Sequence, residues 1–342
     1  MKRNADHLVT INVGMGRDSL AMLCLLVEGA LVVGGSVLHV DEVDAVIFSD
    51  TGAEWDHTYV EVPRVRAFCE RHGLRFLVLA KPPDEVWRAN QRSKGERTIP
   101  AWVAAAEGAS IEDKAASGAY HLRLPIIPEF MRFAKIAVTV NASCTENHKV
   151  GPIRRCIEDL ALERFGVGNR AWGLAARLGL RPRHEVLIGI AADEASRAID
   201  TGRPSYEQVR YPLVEMGIDK GGEAAILARH GFGHVRKSGC VMCPYQGTGW
   251  FWALRETDPD RWAEVVAYEA AALAENPRMW VIGRSKLPLP VAVELWRKAN
   301  PSATVADVLD KAYSRCSVVD ERQLGLFPAA GVSGIALTPG EP

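Results

Sequence analysis

The stretch Val9-Thr10-Ile11-Asn12-Val13-Gly14-Met15-Gly16-Arg17-Asp18-Ser19 passes from a short apolar run into a glycine-containing turn. Val9 to Val13 reads as a buried strand. Leu20, Leu23, Leu25 and Leu26 follow it in the pattern of a helix. Strand, turn and helix N-terminus in this order form an anion cradle. The N–H groups of a first helical turn have no partner within the helix, and the helix dipole favours negative charge there. Glycine lets the backbone come close to a phosphate. The turn has neither the Gly-Lys-Ser/Thr ending of a P-loop nor the three spaced glycines of a dinucleotide fold. It places an anion beside the first strand without belonging to either common phosphate loop.

Outward from this stretch, strands are expected at 8–13, 45–49, 75–79 and 185–191. Helices are expected at 18–31, 57–72 and from about Pro152 to Phe165. Such alternation predicts an α/β fold, a doubly wound and mostly parallel sheet with helices on both faces. Ligands of such sheets bind beyond the carboxyl ends of the strands. A chain of 342 residues, 48% hydrophobic, holds one large domain and a smaller extension. The expected division is an α/β domain over 1–215 with a helical insertion at about 82–143, a helical region over 216–316, and a flexible tail over 317–342 rich in Gly, Pro and Ala.

The net charge of −1 gives no whole-chain sign of nucleic-acid binding. Local basic groups (Arg88, Arg92, Lys94 and Arg97; Arg154 and Arg155; Arg181, Arg183 and His184) read equally as solvated faces. No charge-free run of about 18 apolar residues is present, so no membrane span is expected. Met1 to His7 run directly into the first strand with no signal-peptide core, and a cytoplasmic protein is expected.

Three motifs in order carry a family resemblance. The first turn resembles the Ser-Gly-Gly-x-Asp-Ser loop of the PP-loop ATP pyrophosphatases. Gly16, Asp18 and Ser19 match, whereas Gly14 stands where that superfamily has Ser and Met15 where it has Gly. Ala45-Val46-Ile47-Phe48-Ser49-Asp50-Thr51-Gly52-Ala53-Glu54 resembles the Asp-Thr-Gly-x-Glu turn of its phosphoadenosine-phosphosulfate (PAPS) reductase-like branch. Ile188-Gly189-Ile190-Ala191-Ala192-Asp193-Glu194-Ala195-Ser196-Arg197 resembles that branch's Gly-x-Arg-x-x-Glu-Ser-x-x-Arg, with Ala191 for the first Arg and Arg197 one position early.

The resemblance spans about residues 8–275 and implies an adenine nucleotide alpha hydrolase-like fold. It implies a nucleotide site of Gly14, Gly16, Arg17, Asp18, Ser19, Asp50, Thr51, Gly52, Glu194 and Arg197, with ATP as ligand and Mg²⁺ bridging its phosphates. Asp18, Ser19 and Lys149 are the implied catalytic residues. With backbone donors and Mg²⁺, they would stabilise departing pyrophosphate. No general base is identifiable; His148 and His184 are candidates, though a lone His is more often structural.

Of seven cysteines, Cys24 and Cys69 fall in apolar helix patterns and read as packing residues, and Cys316 is uninformative. Lys237-Ser238-Gly239-Cys240-Val241-Met242-Cys243-Pro244 differs: a Cys-x-x-Cys flanked by glycine lets two thiolates converge on a metal. Cys144-Thr145-Glu146-Asn147-His148-Lys149-Val150-Gly151-Pro152 resembles the branch's Cys-Thr or Cys-Cys pair before a Lys and a helix-starting Pro. In members with a [4Fe–4S] cluster, that Cys and the later Cys-x-x-Cys bind it. Cys144, Cys240 and Cys243 are the implied ligands here. Cys156 is either a fourth ligand or a packing residue. Zn²⁺ in a closed four-cysteine site is the alternative metal.

The Glu-Cys-Gly-x-His tail of true sulfonucleotide reductases is absent: Cys316 lies in Ser314-Arg315-Cys316-Ser317. The chain looks more like the DndC-type proteins of DNA phosphorothioation and related phage-encoded proteins. That likeness implies an ATP-dependent sulfurtransferase that adenylates a nucleic-acid target, DNA in the first place, with a cysteine desulfurase as sulfur donor. Alternatives are a PAPS or APS reductase served by a separate thiol carrier, and a subunit that senses nucleotide without cleaving it. Gln323-Leu324-Gly325-Leu326-Phe327 resembles the peptide by which bacterial proteins dock on the DNA sliding clamp, and reads equally as a segment folding back on the domain.

Overall fold

The structure is a computed structural model that describes residues 2–79, 126–127, 143–198, 204–275, 281–282 and 287–311. The expected insertion at 82–143, the tail at 317–342 and the clamp-like peptide Gln323–Phe327 lie outside the described residues, apart from 126–127 and 143.

Five strands form one parallel sheet: β1 (Val9–Val13), β2 (Ala45–Ser49), β3 (Phe76–Leu79), β4 (His184–Ile188) and β5 (Glu207–Arg210). Their spatial order is β3-β2-β1-β4-β5, with every neighbouring pair parallel. The strand order therefore reverses direction between β1 and β4, where an open α/β sheet forms its crevice.

Both faces of the sheet are buried, and alternate residues go to different cores. Val9, Ile11, Val13, Val46 and Phe48 pack with α1 (Arg17–Val27), α2 (Asp56–Arg71) and α5 (Lys220–Arg229). Leu8, Ala45, Ile47, Val186 and Ile188 pack on the other face against α3 (Gly151–Phe165). This is the period-2 pattern of a strand covered on both sides, and it makes the fold doubly wound. α4 (Asn169–Arg177) follows α3.

A third core lies apart from the sheet. There α6 (Thr248–Thr257), α7 (Pro259–Glu275), α8 (Leu289–Ala299) and α9 (Val305–Lys311) enclose Trp250, Phe251, Tyr268, Val293 and Leu309. Trp55, at the start of α2, meets Trp250 edge to face with ring centres 5.0 Å apart and ties the two parts together.

The structure departs from expectation at several places, including β4, which ends at Ile188 and not at 191. α1 stops at Val27, short of residue 31, because Gly29 takes a left-handed φ of 66° and Ala30 donates back to the Leu25 carbonyl. Ile226, Leu227, Phe232 and Val235 belong to the sheet's core, beyond the expected boundary at 215. β5 was not expected, since Glu207-Gln208-Val209-Arg210 has only one apolar residue to signal it. Among the described residues no helix is long and apolar enough to cross a membrane.

Candidate functional site

A cleft of about 120 Å³ opens at the carboxyl ends of β1, β2 and β4, at the reversal point of the sheet. Gly14, Gly16, Arg17, Asp18 and Ser19 form one wall, with Phe48, Ser49 and Ile188 around it. Among the described residues, Arg17, Lys149, Arg197 and Lys237 bring four cationic side chains to it from separate parts of the chain, against the single carboxylate of Asp18. Such a preponderance of positive charge beside a helix N-terminus suits a polyanion. Asn12 lines the same cleft, and its buried Oδ1 has no hydrogen-bond partner among the described residues.

The loop closes by its own contacts. Ser19 Oγ accepts from the Gly14 N–H (3.2 Å) and donates to the Gly16 carbonyl (3.0 Å). Its one hydroxyl proton is thus engaged inside the loop. Ser19 therefore braces the turn while also lining the cleft. Met15 adopts a φ of 59°, the only positive φ at a non-glycine position among the described residues, and its side chain is buried in the sheet core. Left-handed backbone favours glycine, so the turn holds strain at Met15. Gly189, just after β4, is equally constrained. A Cβ there would lie 2.7 Å from the Asp18 carbonyl carbon and from the Ser19 nitrogen. Only glycine lets β4 approach the start of α1 so closely.

Beneath the cleft the charges are dense. Glu194 is buried and pairs with Lys220 (2.7 Å), Lys237 (3.3 Å) and Arg197. Glu194 therefore positions two cations of the cleft instead of facing it. Burial brings the Lys237 ammonium down to about 8, with neighbouring Arg197 adding to the effect. Glu223 of α5 is fully buried, and neither carboxyl oxygen has a hydrogen-bond partner among the described residues. Burial first and Asp18 second push its carboxyl up to about 8.

Asp50, Thr51 and Gly52 are not among the cleft-lining residues. Asp50 Oδ1 accepts from the Gly52 N–H (2.8 Å) and from the Tyr59 hydroxyl (2.9 Å), which shapes the turn after β2. Thr51 donates to Glu54 (2.9 Å) and lies 3.3 Å from Cys240 Sγ. Within the second motif Thr51 thus faces the cysteines, whereas Phe48 and Ser49 line the cleft.

A second, smaller cavity of about 10 Å³ is lined by Cys144, Cys240, Cys243, Thr51, Thr145 and Lys149, with Ile126, Met242 and Pro244. Three cysteines from two distant segments of the sequence meet there, and Thr145 sits beside Cys144. Backbone pairing holds them. Trp55 N–H donates to the Gly239 carbonyl (3.1 Å) and Val241 N–H to the Ala53 carbonyl (2.9 Å), so 53–55 and 239–241 form a short antiparallel ladder. His57 donates to the Lys237 carbonyl (3.1 Å), and Cys243 N–H to the Cys240 carbonyl (3.1 Å). Burial holds the His57 imidazole below its ordinary value, so it stays neutral as that donor.

Cys156 does not join this group. It lies in the core between α3 and the sheet with Ile153, Ile157 and Leu160. The spacing 153, 156, 157 and 160 is that of a buried helix stripe, a signal present in the sequence. Of the two candidate histidines, His148 is buried near the cleft, its carbonyl accepting from Ser49 Oγ (3.0 Å). His184 lies in β4, where its Nδ1 accepts from the Leu8 N–H and burial pushes it down to about 3. It is a neutral structural residue.

The donor set of the small cavity, three thiols, fits a thiolate-held iron–sulfur or zinc centre. Its present volume matches about one water molecule, so a four-iron cube requires the cysteine side chains to spread. Among the described residues no three His, Cys, Asp or Glu side chains already converge as a single metal ion needs.

Lys149 lines both the cleft and the cysteine cavity, and its Nζ lies 3.4 Å from Glu54 Oε1, which Cys240 Sγ approaches to 3.6 Å. Lys237, Ser238, Glu54 and Gly189 were not among the expected site residues. All four stood inside quoted stretches, Gly189 and Glu54 within the nucleotide motifs and Lys237 and Ser238 at the head of the Cys-x-x-Cys, where only folding turns them to the cleft. No family model, curated protein or solved structure matches this chain.

Proposed function

We propose that this chain is an ATP-dependent sulfurtransferase of the PP-loop type, acting on a nucleic acid, DNA in the first instance. The observation that supports it is the shared lysine: Lys149 belongs at once to a cationic cleft on a helix N-terminus and to a cavity walled by three cysteines. Anion binding and sulfur chemistry are thereby adjacent in one molecule.

In this reading the loop Gly14–Ser19 seats the phosphates of ATP, and Asp18 would help hold a Mg²⁺ that neutralises their charge. An oxygen of the target attacks the α-phosphorus, the bond to the bridging oxygen breaks, and pyrophosphate leaves. Arg17, Lys149, Arg197 and Lys237 offset the charge that develops on the departing group. Sulfur at the sulfide level then displaces AMP from the target. Cys144, Cys240 and Cys243 would hold an iron–sulfur centre that could supply this sulfide at the cavity; a cysteine desulfurase delivers sulfur as a persulfide, so a dithiol reductant must add two electrons to return it to the sulfide level. Glu54 keeps the Lys149 ammonium between the two sites.

The test is product analysis with anaerobically purified protein, ATP, DNA and sulfide. Pyrophosphate and AMP should form with wild type and fall at least about 100-fold in Asp18→Ala, the order of loss expected when a transition-state contact goes. Sulfite released from PAPS without ATP would favour a reductase instead. ATP bound with no product formed would favour a nucleotide-sensing role.

A further inference from the structure

The phosphate loop of this chain lacks a free side-chain hydroxyl of its own. Gly14 has no side chain, and the Ser19 proton is donated to the Gly16 carbonyl. A different hydroxyl stands over the loop. A Cβ built on Gly14 would lie 3.3 Å from Ser238 Oγ, and one on Gly16 would lie 2.8 Å from the same atom and 3.2 Å from the Ser238 nitrogen. Ser238 Oγ therefore occupies the space that a side chain at position 14 would enter. Ser238 lines the cleft beside Lys237 and is only half-buried. The segment cannot drift away, since His57 holds the Lys237 carbonyl and Trp55 holds the Gly239 carbonyl on either side of it.

The geometry points to Ser238 as a phosphate ligand: its hydroxyl donates to an anion seated on the Gly14–Ser19 loop and replaces the one missing at Gly14. The inference rests on the cleft being a phosphate site, as proposed above. It adds that the cysteine-bearing segment forms part of that site. Cys240 is two residues from Ser238, so occupancy of the cleft is felt directly by the wall of the cysteine cavity. The two glycines of the loop gain a second reason to be glycine, since a side chain at either would strike Ser238.

The experiment is calorimetric titration of the full chain with inorganic pyrophosphate. Ser238→Ala removes one hydrogen bond to a charged group and should weaken binding by roughly 10- to 100-fold. Gly14→Ser alone crowds the Ser238 hydroxyl and should also weaken it. The double variant Gly14→Ser, Ser238→Ala returns a hydroxyl to the same space and should recover affinity to within about threefold of wild type. In wild type, pyrophosphate should also slow hydrogen exchange of the 237–241 amides, and it should not do so in Ser238→Ala. A change under about twofold in Ser238→Ala would overturn the inference. So would a loss that Gly14→Ser cannot recover, which would assign the effect to packing. If wild type binds neither pyrophosphate nor ATP, the reading of the cleft itself fails.

Discussion

The cleft and the cysteine cavity lie against one another and share Lys149, yet they are built from opposite materials. The cleft is made of backbone and charge. A strained turn, a helix N-terminus and four cations surround it, with Glu194 and Glu223 buried beneath. The cavity is made of thiols, Met242, Ile126 and Pro244, and a two-strand ladder fixes it. Charge and strain gather where a polyanion would bind, and soft sulfur where a metal would. The difference teaches that the two sites should fail separately, even though one lysine and one segment connect them.

The largest separation should come from the cysteines. Cys240→Ala or Cys243→Ala should remove essentially all bound iron and sulfide, or zinc if that is the metal. Pyrophosphate affinity should change by less than about threefold, because no cysteine lines the cleft. Metal analysis and titration of the same sample measure both. Metal retained in both variants would dismiss the cavity as a metal centre.

Gly189→Ala should do the reverse. Its Cβ would collide with the backbone at Asp18 and Ser19, so the first turn of α1 must shift. A destabilisation of about 1–3 kcal/mol is expected, as for other overpacked sites, together with a loss of pyrophosphate binding and unchanged metal content. Thermal unfolding and titration report the two effects.

A finer effect comes from pH. Glu223 holds its proton in the folded chain up to about pH 8 but releases it near 4.5 when unfolded. Between those values the native state binds the extra proton, so stability is present below about pH 4.5 and is lost as pH rises through 8. Glu223→Gln should flatten this decline and raise the melting temperature near pH 8. An unchanged pH profile would show that Glu223 is not a buried acid. The smallest effect belongs to Cys156→Ala, about 1 kcal/mol of stability from lost packing with no change in metal content. Loss of metal in that variant would return Cys156 to the ligand set.

The sheet was largely legible because its signal is local. Val9 to Val13 and Ala45 to Ser49 are apolar runs bounded by polar turns, and α3 shows its buried stripe at 153, 156, 157 and 160. β5 was not, because a short edge strand with one apolar residue has no period to detect. At the site, the Gly14–Ser19 loop could be read directly, since its chemistry lies in its backbone. The part played by Asp50 and Thr51 could not, because whether a turn faces the cleft or the cysteines depends on where residues 239–241 pair. Ser238 shows the same limit more sharply. Its meaning depends on Gly14 and Gly16, more than 200 positions earlier, and a serine before Gly-Cys carries no mark of that encounter.

The ladder between 53–55 and 239–241 also sets an order of assembly. Glu54 and Cys240 are separated by 186 positions, so the cavity has its second wall only after the whole sheet has been synthesised. At ordinary translation rates the ribosome needs on the order of ten seconds or more to cover that distance. The loop after β1 can form early from neighbouring residues, whereas the three cysteines meet last. A chain cut before residue 239 would keep every strand of the sheet and possess no cysteine chamber at all.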